Sequence, residues 1–196
     1  MDQSLDSAKA ALRTELTARL EAVPAQTRTE ASTAACRLLV ARDEWRTARA
    51  ILFYAAMRDE LDLWPVIREA WSQDRTVALP RYQPACRAYE AACVGGPADL
   101  RTGWYGILEP GPQCASIPVN RLDLVLVPGL AFDPVGGRLG RGKGHYDRLL
   151  ADARGWLCGV AMDEQVVLSV PTGPQDVLLN CILTPTRWIA CRQRSV

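Results

Sequence analysis

A short glycine-rich segment carries the densest group of cations in the sequence. Between Gly136 and Gly144, five glycines are interspersed with Arg138, Arg141 and Lys143 in the run GGRLGRGKG. Glycine lets backbone N–H groups approach a ligand closely, and cations beside the start of a helix favour negative charge. We therefore expect this glycine loop to be an active-site loop that binds a polyanion.

The loop also has the spacing of a known phosphate-binding motif. Gly137 to Lys143, GRLGRGK, matches GxxxxGK, but Gly144 stands where a P-loop has the Ser or Thr that holds Mg²⁺. A P-loop ATPase is therefore the second interpretation, and a ligand-free surface hairpin is the third. The third is disfavoured because the clustered cations repel one another unless an anion lies among them.

Two carboxylates are candidates for a metal site. Asp147 falls in the first turn of the helix predicted after the loop, where it could cap the helix or face a Mg²⁺ carried by phosphates. Asp176 is a plausible second carboxylate, although only the fold could bring it near. His145, the one histidine, has no identifiable nucleophile partner, so electrostatic positioning, as in phosphoryl transfer, is the favoured chemistry.

Other candidate groups lie far from the loop in sequence. Lys9 and Arg13 are one turn apart on a predicted amphipathic helix, Ser4 to Leu20, where they form either a solvated edge or a phosphate contact. Glu60 follows a predicted strand, a place where α/β sheets hold ligands. Trp104 and Tyr105, near Glu109, form either a surface loop or an aromatic wall for a flat ligand.

Strands and helices alternate along the chain. Buried strands are predicted at 50–57, at 76–79 with Pro80 ending the strand, at 122–128, at 156–162 and at 181–184. Helices are predicted between most of them, and no linker divides the 196 residues. We expect one domain, residues 1–196, with a three-layer α/β/α architecture and a mostly parallel sheet.

Composition narrows the functional class. The net charge is +1, and basic residues concentrate only in the glycine loop, so we expect no nucleic-acid or membrane-surface partner. No apolar run is long enough to span a bilayer. The seven cysteines include no CxxC pair, which predicts reduced thiols. We expect a monomeric cytoplasmic protein with small-molecule partners.

The loop and its surroundings resemble the signature of the 5-formyltetrahydrofolate cyclo-ligase family. The resemblance rests on GRLGRGKGHYDRLL, preceded by LVPGLAFDPVGG, and on segments in the same order elsewhere: KAALR from Lys9, the Glu60 segment, YGILEP from Tyr105, and GVAMDEQ followed by VPTGPQD. It implies a Rossmann-like fold related to sugar-phosphate isomerases and CoA-transferases. It also implies a ligase that uses ATP and Mg²⁺ to convert 5-formyltetrahydrofolate into 5,10-methenyltetrahydrofolate, by phosphorylating the formyl oxygen, closing the ring and releasing phosphate.

The resemblance also assigns roles to residues. The implied ATP contacts are Lys9, Arg13, Arg138, Leu139, Gly140, Arg141, Gly142, Lys143, Gly144, His145 and Tyr146. Among these, the expected catalytic residues are Arg141, Lys143, His145 and Tyr146. The expected folate contacts are Ala55, Glu60, Trp104, Tyr105, Glu109, Arg141, Gly142, Lys143, Gly144 and His145. Asp147 and Asp176 would face the Mg²⁺ ion.

The sequence departs from the family pattern at three places. His145 stands where many members have Tyr, the segment around Asp176 reads GPQDVLLN where an acidic or histidine-bearing version is commoner, and Asn180 takes a position often held by Asp. These departures put in doubt the hydrogen bonding beside the formyl group and the role of Asp176. The alternatives are a folate- or nucleotide-binding paralogue without turnover, and a P-loop-like ATPase with another acceptor.

Overall fold

The computed structural model describes residues 3–103 and 106–192, and within these ranges it has helices and strands in alternation. The helices are α1 (Gln3–Glu21), α2 (Ala25–Val40), α3 (Asp43–Thr47), α4 (Trp64–Ser72) and α5 (His145–Leu150). The strands are β1 (Ala50–Leu52), β2 (Thr76–Gln83), β3 (Ala88–Cys93), β4 (Leu100–Thr102), β5 (Leu108–Pro110), β6 (Leu124–Pro128), β7 (Ala131–Phe132), β8 (Arg138–Leu139), β9 (Trp156–Val160), β10 (Cys181–Leu183) and β11 (Trp188–Ala190).

Seven of the strands form one sheet in the order β11-β10-β9-β6-β1-β2-β3. The five inner strands are parallel to one another, and the edge strands β11 and β3 pair antiparallel with β10 and β2. All five residues of the central strand β6 are buried, as expected for a parallel strand covered on both faces. The predicted α/β fold with a mostly parallel sheet is confirmed.

The two faces of the sheet are covered differently. On one face α1, α2 and α4 bury Leu16, Leu39 and Ile67 against alternate side chains of the parallel strands. On the other face α5 contributes Leu149 and Leu150, and loop segments complete the layer. Every helix in the described part of the chain is too short or too polar to traverse a bilayer.

Two predicted strand boundaries were wrong. β1 ends at Leu52. The last backbone hydrogen bond from this segment to β2 is the one that Phe53 N–H donates to Ala78 O at 2.9 Å, and the chain then leaves the sheet. β2 instead continues through Pro80 to Gln83 as an antiparallel ribbon with β3. Pro80 is tolerated there because β1 has already ended on that side, so no neighbour needs the missing N–H.

Gly159 in the middle of β9 offers a test of sheet packing. A Cβ atom there would lie 2.6 Å from Phe132 Cε1 and 2.8 Å from Leu179 Cδ1. We expect Gly159→Ala to lower the free energy of unfolding by about 1–3 kcal/mol, because the core cannot accept the methyl group without shifting. Urea unfolding measures the change. Gly96→Ala is the matched control, since its Cβ would meet nothing within 4 Å; equal unfolding midpoints for the two variants would contradict the packing argument.

Candidate active site

One cavity of about 590 Å³ lies at the carboxyl ends of the parallel strands. The segments after β1 and β6 form its floor, and α1, the β2–β3 ribbon and the glycine loop form its walls. Ligands of open α/β sheets bind at this edge. Every predicted site residue within the described ranges lines it: Lys9, Arg13, Ala55, Glu60, Glu109, Arg138, Leu139, Gly140, Arg141, Gly142, Lys143, Gly144, His145, Tyr146, Asp147 and Asp176. The predicted folate contacts Trp104 and Tyr105 lie outside the described residues.

A second cavity, of about 610 Å³, lies at the opposite edge of the sheet, so volume alone does not identify the site. The residues just before β1, β6 and β9 line it. One of its carboxylates, Asp123, is occupied in accepting hydrogen bonds from the N–H groups of Arg49 and Ala50, at 2.7 and 2.9 Å. Four glycines and five Lys or Arg side chains line the first cavity, whereas one glycine and two arginines line the second, so the first is better suited to a charged ligand.

The first part of the glycine loop is a rigid turn. It connects β7 to β8 around Asp133, a carboxylate only 1% exposed that accepts hydrogen bonds from the N–H groups of Gly137 at 2.8 Å and Val170 at 2.7 Å. Gly136 has φ of +93°, and a Cβ there would lie 2.5 Å from Leu179 O. Gly136 and Gly137 therefore belong to the turn, and the glycines that line the cavity are those after Arg138.

The second part of the loop forms a cavity wall. Gly142 and Gly144 have φ of +92° and +63°, in the left-handed region where glycine is favoured. Arg13 Nε donates to Gly140 O at 2.9 Å, which ties this wall to α1. At the floor, Gln165 donates to Gly129 O at 2.7 Å and so fixes the turn that follows β6. The sequence motifs gave no role to Gln165 or Asp133.

Most cavity cations are paired with carboxylates. Lys9 Nζ lies 2.5 Å from Asp176 Oδ2, and Arg138 donates to Asp147 Oδ1 at 2.8 Å. Carboxylates of the protein therefore relieve the repulsion among the clustered cations. The expectation that only a bound anion could relieve it was wrong. Lys143 is exposed, and its ammonium has no ion-pair partner among residues 3–103 and 106–192.

The two predicted metal ligands line the same cavity without forming a closed metal site. The structure shows no group of three or more His, Cys, Asp or Glu side chains arranged around a metal position, in the part of the chain that it describes. Mg²⁺ is commonly held by one or two carboxylates together with phosphate oxygens and water. Asp147 and Asp176, 24% and 17% exposed, fit that mode of binding.

Glu60 is the most buried carboxylate of the cavity wall. Its side chain is 11% exposed, and Oε2 accepts the Met57 N–H at 2.9 Å. Burial raises the pKa of Glu60, because the charged form loses hydration; the Met57 hydrogen bond and the Arg141 charge only partly offset this. The carboxylate therefore offers strong acceptor capacity to any ligand with N–H donors.

Aromatic rings line the side of the cavity beneath His145. The His145 ring centroid lies 4.9 Å from that of Tyr89 and 5.6 Å from that of Tyr82. Tyr82 and Tyr89 are paired across β2 and β3. In the adjacent pair of residues, the buried Arg81 donates a hydrogen bond to Glu90 at 2.7 Å. No local sequence signal identified the two tyrosines, because only strand pairing brings them together.

His145 is held as a neutral donor. Burial lowers the pKa of His145, and the charges of Arg148 and Lys143 lower it further. Arg148 lies with a guanidinium nitrogen 3.0 Å from His145 Nδ1. Since a guanidinium can only donate, we infer that Nδ1 accepts and that the hydrogen is on Nε2.

Comparisons with known proteins agree with the geometry. The model of the 5-formyltetrahydrofolate cyclo-ligase family matches residues 6–185. The 5-formyltetrahydrofolate cyclo-ligase of Mus musculus is 28% identical over 193 residues, covering 92% of this chain and 95% of the mouse protein. That of Haemophilus influenzae is 33% identical over 145 residues, covering 71% and 78%. The solution structure of Aquifex aeolicus 5,10-methenyltetrahydrofolate synthetase superposes with a TM-score of 0.85 at 29% identity, covering 96% and 95%.

The raised pKa of Glu60 predicts a stability cost at neutral pH. Between the ordinary value of 4.5 and its higher folded value, the native state binds more protons than the unfolded chain, so the free energy of unfolding falls as pH rises. We expect Glu60→Gln to raise the melting temperature near neutral pH and to leave it almost unchanged below 4.5. Thermal melts across this range test the prediction. A variant less stable than the unmodified chain at neutral pH would contradict it.

Proposed function

The chain belongs to the 5-formyltetrahydrofolate cyclo-ligase family, and we propose that it uses ATP and Mg²⁺ to convert 5-formyltetrahydrofolate into 5,10-methenyltetrahydrofolate. One observation carries the proposal: residues as far apart as Lys9 and Asp176, 167 positions, meet the glycine loop in a single cavity. The same cavity holds cations with their paired carboxylates and, beside them, the rings of Tyr82 and Tyr89, a combination that suits an anionic ligand and a flat ligand that must meet.

The reaction makes limited demands on proton transfer. The formyl oxygen carries no proton, so it attacks the γ-phosphate without a general base, and ADP leaves. The neighbouring amine then attacks the activated formyl carbon and gives up its proton, which balances on the phosphate that departs as the ring closes. Catalysis therefore depends mainly on alignment and on neutralising the charge of the transferring group, which are the tasks a preorganised cationic cavity performs.

The cationic wall is the proposed ATP site. Lys9, Arg13, Arg138 and Lys143 supply positive charge, and the backbone from Gly140 to Gly144 allows close approach of phosphate oxygens. Lys143 makes no ion pair within the described residues, so it could bind a phosphate directly. Lys9 and Arg138 would have to leave Asp176 and Asp147 in order to bind phosphate oxygens. That exchange supports the assignment of Asp147 and Asp176, since both carboxylates would then be available to the Mg²⁺ bound by the triphosphate. Bound Mg²⁺ would neutralise phosphate charge.

The opposite wall is the proposed folate site. Glu60 would accept hydrogen bonds from the N–H donors of the pterin ring, and Ala55, three residues past the end of β1, and Glu109 on β5 line the same cavity. The rings of Tyr82 and Tyr89 provide a surface for the flat ligand. Arg141 and His145 line the cavity between the two sites, and we assign them to the formyl group and the γ-phosphate, together with Tyr146.

The decisive experiment is a direct assay. The purified chain is mixed with ATP, Mg²⁺ and 5-formyltetrahydrofolate, and the near-ultraviolet band of the methenyl product is followed together with phosphate release. We expect a rise that needs all three components and stops when Mg²⁺ is chelated. Tight binding of folate and ATP without product would instead indicate a non-catalytic binding protein. Phosphate release without folate would indicate an ATPase with another acceptor.

Lys143→Ala isolates the contribution of charge to turnover. Because Lys143 makes no ion pair within the described residues, its removal should leave the unfolding free energy unchanged. Losing one charge-assisted contact to the transferring phosphoryl group should lower turnover by roughly 10²-fold, about 3 kcal/mol. Arg141→Ala should cause a loss of similar size. The control is Arg187→Ala, which removes an arginine paired with Asp163 outside the cavity; equal turnover in all three variants would show that the site is misplaced.

A further inference from the structure

The turn after β1 presents a carboxylate that no part of the proposed mechanism uses. Residues 57–60 form a closed turn, in which Glu60 N–H donates to Met57 O at 3.0 Å and Met57 N–H donates to Glu60 Oε2 at 2.9 Å. Asp59 lies inside this turn. Because the two ends of the turn are bonded to each other, the backbone that carries Asp59 is held by the protein's own hydrogen bonds.

Asp59 binds Arg141 across the mouth of the cavity. One terminal nitrogen of Arg141, Nη2, lies 2.7 Å from each carboxylate oxygen of Asp59, although the two residues are 82 positions apart. Glu60 Oε1 lies farther from the same nitrogen, at 3.5 Å. Arg141 and Glu60 line the cavity, whereas Asp59 contacts Arg141 from outside it.

The contact leaves one side of the guanidinium available. Every hydrogen bond that the Arg141 side chain makes to the described residues uses Nη2, so Nε and Nη1 have no acceptor there. A guanidinium is a rigid planar fork, and fixing one of its nitrogens restricts the plane of the others. Asp59 thus holds the group while two donor nitrogens remain for an anion.

We propose that Asp59 is a positioning residue for the cyclo-ligase reaction, acting on the transferring phosphoryl group through Arg141. This inference rests on the proposed function. Asp59 holds Arg141 more closely than Glu60 does, because both Asp59 oxygens lie 2.7 Å from Nη2, whereas Glu60 reaches the same nitrogen with one oxygen at 3.5 Å and its other oxygen accepts the Met57 N–H. When folate binds Glu60, Asp59 remains as the anchor of Arg141. Loss of the Asp59 carboxylate should lower kcat more than it weakens substrate binding, because Asp59 does not line the cavity.

The test compares Asp59→Asn with the unmodified chain and with Arg141→Ala. We expect Asp59→Asn to lower kcat about 10-fold with little change in KM for folate, since a misaligned guanidinium weakens transition-state contact. Asp59→Glu, which keeps the charge, should recover part of the loss. In the double variant Asp59→Asn with Arg141→Ala, turnover should equal that of Arg141→Ala alone, because the effect of Asp59 passes through Arg141.

Asp163→Asn is the matched control. Asp163 also pairs with an arginine, Arg187 at 3.3 Å, but neither residue lines the cavity, so turnover should be unchanged. An active unmodified chain whose kcat is unaffected by Asp59→Asn would overturn the inference and leave the proposed function standing. Losses that multiply in the double variant would overturn it as well, since Asp59 would then act independently of Arg141. If the unmodified chain forms no product, both the role inferred for Asp59 and the proposed function are wrong.

Discussion

The cavity depends on the burial of β6 between β1 and β9. All five residues of β6 are buried, and it pairs in parallel with both neighbours, so its carboxyl end is fixed in the middle of the sheet. Pro128 ends the strand, Gly129 follows it, and Gln165 donates to Gly129 O. β7 and then the glycine loop come after this turn, so the chain enters the loop from a position held by the sheet.

The buried turn around Asp133 carries that order further along the loop. A carboxylate 1% exposed would be costly without partners, and Asp133 accepts hydrogen bonds from Val135, Gly137 and Val170. The turn delivers Arg138 to the cavity wall with its side chain almost wholly buried. Glycines that look equivalent in sequence therefore divide into two groups, one that builds the turn and one that faces the cavity.

Internal ion pairs prepare the cavity for charged ligands. Carboxylates hold Lys9, Arg138 and Arg141 in place, so the cavity cations are already ordered without a bound anion. Under the proposed function, such preorganisation would lower the cost of ordering side chains during the reaction. Burial raises the pKa of Glu60, so its ionised form is unfavourable in the folded state at neutral pH.

The sequence by itself determined the alternating fold and the glycine loop, and it indicated many of the residues that line the cavity. Strand β6 and helix α1 were visible because hydrophobic periodicity is local, and the loop because residue types and spacing are local too. Tertiary structure alone decided which charges meet: Lys9 with Asp176, and Arg141 with Asp59, are pairs that no spacing reveals. It also decided that β2 passes through Pro80 and that Tyr82 lies opposite Tyr89. These features depend on which strands are neighbours and where each one ends, and such long-range contacts are settled by the packing of the whole chain.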